Sequence, residues 1–134
     1  MSPLQEGLVW TMVLATIDDR RLSRVEIRAM RDSVGHLPVF AGVDLKELPA
    51  VAEACAEALA GENGVDVAAR RIKRAVPRKM GETAYLLACD MMASDGRVGS
   101  DDVEVLDLLA DIFALDSLTC AALETAARAR FAKP

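Results

Sequence analysis

Apolar positions recur at helical spacing along nearly the whole chain. Ser2-Pro3 has the form of a cap followed by proline at the first helical position, and Leu4, Leu8, Thr11, Met12 and Ala15 then share a face. This predicts a first helix running to about Ile17. Ser23 and Glu26 have the spacing of a capping box and open a second helix, which Gly35 and Pro38 close. Asp44 offers a cap for a third helix that stops at Gly61. A fourth, Asp66 to Val76, puts Val67, Ile72 and Val76 on one side and Arg70, Arg71, Lys73 and Arg74 largely on the other, with Pro77 as its stop. Thr83 to Ala93 reads as a strongly apolar fifth helix, Ser100 opens a sixth, and Asp116-Ser117 opens a seventh that ends near Phe131. Leu37 to Phe40 carries Pro38 and reads as a buried loop segment, not a strand. The pattern predicts an all-α, single-domain bundle of about seven helices spanning residues 1–134.

Composition sharpens this picture. Hydrophobic residues make up 52% of the 134 positions but aromatics only 4%, which favours helices packed closely through small side chains. Cys55, Cys89 and Cys120 form no CxxC pair and each sits in an apolar run, so they read as core residues of a protein in a reducing, cytoplasmic compartment. The apolar stretch Leu8 to Ile17 is too short to span a bilayer. A net charge of -5 argues against general nucleic-acid binding, which depends on neutralising phosphates.

Sliding the chain against itself by 76 positions brings Asp19 onto Asp95 and Glu26 onto Asp102. Each pair flanks a short turn that follows an apolar helix and leads into an amphipathic one, giving repeat units of approximately 4–36 and 80–113. A carboxylate at the exit of one helix and another in the first turn of the next supply hard oxygen ligands of the kind calcium, magnesium or manganese takes. Neither turn is an EF-hand, because Met91 and Ala93 in the second unit, and Ala15 and Ile17 in the first, stand where that loop needs its first ligands. The plainer reading is that acids near a helix N-terminus are caps, each favoured by roughly 0.3 to 1 kcal/mol.

The run Met91-Met92-Ala93-Ser94-Asp95-Gly96-Arg97-Val98, followed by Asp102, Val105, Leu108 and Leu109, resembles the signature of TerB-like tellurite-resistance proteins. Leu8 to Met30 resembles a first copy of it. The resemblance implies a seven-helix bundle in the bacterial cytoplasm, a role in tellurite resistance or stress response, and divalent-metal binding by Asp19, Glu26, Asp95 and Asp102. Asp18, Asp90 and Asp101 stand beside that set. The chain departs from the pattern at Arg20, where the family has glycine.

Other residues offer weaker chemistry. Arg70, Arg71, Lys73, Arg74, Arg78 and Lys79 form a basic stretch that reads first as a solvated helix face. Its alternative use is to meet a protein partner or an anionic surface, which would place the protein at the periphery of the inner membrane. Between Asp90 and Asp116 the only base is Arg97, so this acidic part can pair with the basic stretch either head to tail between copies or within one chain, and self-association is a further expectation. His36, the single histidine, reads as a helix-end residue. With no nucleophile beside a base and no phosphate-binding glycine loop, the expected protein is a binding or sensing module and not an enzyme. The alternative is a non-catalytic scaffold that docks a membrane-associated or chaperone partner, its acids serving as helix caps.

Overall fold

The structure is a computed structural model and describes residues 1–16, 22–96 and 103–134. These residues form seven α-helices: α1 Pro3–Leu14, α2 Arg24–His36, α3 Leu48–Ala60, α4 Gly64–Ala75, α5 Gly81–Ser94, α6 Val103–Phe113 and α7 Ser117–Arg130. Three single 3₁₀ turns, Pro38–Phe40, Leu45–Glu47 and Arg78–Met80, join them, and no strand occurs among the described residues. The all-α bundle expected from the apolar spacing is the fold.

The first two helices start as their sequences dictate. The Ser2 side chain accepts from the Gln5 amide while Gln5 returns a bond to the Ser2 amide, with Pro3 occupying the first turn where no N–H is needed. Ser23 and Glu26 repeat the arrangement at α2. At α7 the Asp116 carboxylate accepts from the Thr119 amide at 2.7 Å, and that bond holds its carboxyl below the ordinary carboxylate range.

Several boundaries differ from the sequence expectation, each for a local reason. Helix α2 runs through Gly35 to His36, and the break falls at Leu37, which is extended because a proline follows. Asp44 caps a 3₁₀ turn through the Lys46 amide, and the α-helical ladder begins at Leu48 with Pro49 in its first turn. Helix α4 starts at Gly64, two residues before Asp66, because Asn63 takes a left-handed φ of 55° and turns the chain at once. A Cβ at Gly64 would lie 2.3 Å from the Leu59 carbonyl oxygen, so only glycine lets α4 begin so close to the end of α3. Helix α5 starts at Gly81, where a Cβ would meet the Phe113 side chain at 2.7 Å. The predicted end of the first helix at Ile17 and the start of the sixth at Ser100 lie outside the described residues.

Two helices form the centre of the core. Helix α1 is buried continuously from Gly7 to Leu14, and α5 from Leu87 to Ala93. They pack against one another, α1 also touching α3 and α4, and α5 also touching α2, α6 and α7. The two helices that lead into the acidic turns are thus the two clothed on all sides, whereas α2, α4 and α6 each bury one stripe. Phe40 is buried in its 3₁₀ turn, as expected for the Leu37 to Phe40 segment.

Candidate acidic turns and the groove beside Asp90

Of the four acids singled out from the sequence, the structure places Glu26 and Asp95; Asp19 and Asp102 lie outside the described residues, as do Asp18 and Asp101. Asp95 is the C-cap of α5 and is half-buried. The next residue, Gly96, has a φ of +70° and donates its amide to the Ala93 carbonyl at 3.1 Å. Arg20, the repeat equivalent of Gly96 in the sequence, lies outside the described residues. The last turn of α5 holds no base, so the carboxylate of Asp95 stands at the negative pole of a buried helix. That position favours a cation.

Glu26 is 1% exposed, and its Oε1 accepts from the Ser23 amide at 2.8 Å while Ser23 Oγ accepts from the Glu26 amide at 3.1 Å. The capping use weighed from the sequence is therefore present in the fold. Among the described residues, no three histidine, cysteine, aspartate or glutamate side chains form a group that could hold a metal ion.

Asp90, placed second to the acidic turns by sequence, turns out to be the buried aspartate of the core. It sits on α5 and accepts from Arg130 Nε of α7 at 3.2 Å. Burial pushes its carboxyl above the ordinary carboxylate range, and the guanidinium offsets this only in part. The pair lies at the side of a groove of about 770 Å³ between α2, the Pro38 turn, α5 and the end of α7, with Leu86, Leu87, Met80 and Phe131 among its apolar lining. The sequence signal for Asp90 was a lone acid inside the run Leu86-Leu87-Ala88-Cys89-Asp90-Met91-Met92, which demands a partner. That the partner is Arg130, 40 residues away, is a tertiary fact.

A pH prediction follows from this burial. The folded Asp90 carboxyl keeps its proton to higher pH than the unfolded one, so its ionisation weighs against the folded state as pH rises from the ordinary carboxylate range through the raised folded value. Asp90→Asn is expected to gain thermal stability relative to wild type across that window and to hold a constant difference above it. Parallel midpoint curves from acid to neutral pH would remove Asp90 as the titrating group.

The basic stretch is exposed throughout, from Arg70 to Lys79, apart from the interspersed Ile72, Ala75 and Val76. One of its members also holds the fold: Arg71 pairs with Glu6 at 2.9 Å and places its guanidinium 4.4 Å from the Trp10 ring centroid. His36 lies in the last turn of α2, where its Nδ1 meets the Asp32 carbonyl, the helix-end position expected of it. All three cysteines are free and buried, and burial pushes the Cys55 and Cys89 thiols up to about 12, which keeps them as unreactive thiols. No helix among the described residues is long and apolar enough to cross a membrane.

Comparison of the chain with protein-family models, with curated proteins and with solved structures gave no match.

Proposed function

We propose that the chain is a non-catalytic binding or sensing module of the TerB-like type, acting in tellurite resistance or a related stress response in the bacterial cytoplasm. Its ligand on this reading is a divalent cation, calcium, magnesium or manganese, taken by Asp95 and Asp102 after α5 with Asp19 and Glu26 as the corresponding acids of the first turn. The observation that carries the proposal is the place of Asp95. A carboxylate at the C-terminal end of a buried helix stands beside backbone carbonyls, where oxygen donors gather and the helix dipole favours a cation. Hard oxygen donors of this kind select hard cations.

The test is thermal unfolding of chelator-treated protein with each cation added back. A ligand that binds only the folded state raises the midpoint, by the equivalent of about 2.7 kcal/mol at a hundredfold excess over Kd. The expected result is a rise of several degrees that Asp95→Ala/Asp102→Ala abolishes. No rise at millimolar cation, with the wild type folded, would sink the proposal.

One observation favours a second reading, a scaffold that docks a membrane-associated or chaperone partner and uses its acids as caps. Glu26 is buried and already bonded in its capping box. On that reading Asp95→Ala lowers stability without changing any response to cation, and no cation moves the midpoint of the wild type.

A further inference from the structure

We infer that the basic outer face of α2 docks on the acidic outer face of α6 of a second copy of this chain. The inference rests on a match in charge and spacing between two exposed helix faces and is independent of any cation at the acidic turns.

On α2, Arg24, Arg28 and Arg31 are all exposed and line a shallow depression with Ile27 and, at its edge, Asp32, so that three bases face one acid there. At about 100° per residue the three arginines fall within one narrow stripe, opposite the buried Glu26, Met30 and Val34. On α6, Glu104, Asp107 and Asp111 are exposed and form an equally narrow stripe opposite the buried Leu109 and Phe113. None of these six side chains forms an ion pair with another described residue.

The two stripes have the same length, seven residues or about 10.5 Å. Laid side by side in the same direction with Arg28 beside Asp107, Arg24 comes to Glu104 and Arg31 to Asp111, each within about 1.5 Å along the axis, the rise of one residue. In that arrangement Ile27, which is 42% exposed, and the half-buried Leu108 fall on the same flank and can cover one another. Aliphatic contact beside charge is what gives such a face a preferred register. Within the internal repeat, Arg28 and Arg31 correspond to Glu104 and Asp107, so equivalent positions on the two copies of the unit carry opposite charge.

Because the two faces belong to different helices, the contact is heterologous. It links copies head to tail, closing into a ring or continuing as an open chain. Exposed ion pairs are individually weak and are screened by salt, so the association is concentration-dependent and strongest at low ionic strength.

Sedimentation of the wild type in about 0.01 M salt, where screening extends over roughly 30 Å, should show species larger than one chain that return to monomer in about 1 M salt. Arg24→Glu/Arg28→Glu/Arg31→Glu should sediment as a monomer at low salt, and so should Glu104→Lys/Asp107→Lys/Asp111→Lys. Mixed together, the two variants should associate again, since the basic α2 of one meets the acidic α6 of the other and the reversed faces also match. Circular dichroism establishes that each variant is folded, and the α2 variant alone suffices if α6 does not tolerate lysine. A wild type that stays monomeric at low salt and millimolar concentration would overturn the inference. So would a folded α2 variant that associates as the wild type does, which would place the contact elsewhere, or two monomeric variants that fail to associate when mixed.

Discussion

Gly64→Ala is expected to lower the melting midpoint by about 10 °C, corresponding to a loss of about 3 kcal/mol. The added Cβ would lie 2.3 Å from the Leu59 carbonyl oxygen and 2.7 Å from that of Ala58, both backbone atoms at the end of α3. Backbone cannot rotate away as a side-chain tip can, so the α3–α4 turn must open. The displacement then carries α4 with it, including the packing of Ala68 and Ile72 and the hold of Arg71 on Glu6 and Trp10. Differential scanning calorimetry of the variant checks this. A midpoint within a degree or two of wild type would mean that α4 starts elsewhere.

The second large effect belongs to the core. Leu8 on α1 is fully buried, and Leu8→Ala is expected to cost about 2–5 kcal/mol through lost burial and the cavity left behind. Leu118 is 81% exposed at the start of α7, so Leu118→Ala removes the same atoms from a surface position and should fall within about 0.5 kcal/mol of wild type. Urea unfolding of the pair isolates the environment from the side chain. Equal losses at the two positions would contradict the central placement of α1.

Most of the architecture was legible along the chain because its signals are local. The cap at Ser2, the capping box at Ser23, the Asp116 cap and the prolines that interrupt helices act through neighbours three or four residues away, and the helices begin or end within a few residues of those signals. The differences in boundary arose where a turn depended on a backbone conformation, as at Asn63, or on a close approach, as at Gly64 and Gly81. The candidate site was legible only in part. Glu26 and Asp95 can be seen as turn acids in the sequence, and the structure adds that one is buried in a cap and the other ends a helix with no base in its last turn. The Asp90–Arg130 pair and the seat of Arg71 over Trp10 join residues 40 and 61 positions apart, and no spacing rule reaches that far.

The Trp10 setting has an optical consequence. The chain has one tryptophan and one tyrosine, and they report on different neighbourhoods. Trp10 is buried on α1, which packs on α3 and α4; its indole N–H finds no hydrogen-bond partner among the described residues, and a guanidinium lies over its ring. Tyr85 lies on α5 and donates to Glu124 of α7 at 3.2 Å. Emission excited selectively from the indole therefore follows the packing of α1 with α3, α4 and α5, and the phenol absorbance follows the contact of α5 with α7. The molecule carries a native two-channel probe: coincident transitions in the two signals mark the bundle as one cooperative unit, and separated ones mark the surroundings of α1 and the α5–α7 contact as distinct steps.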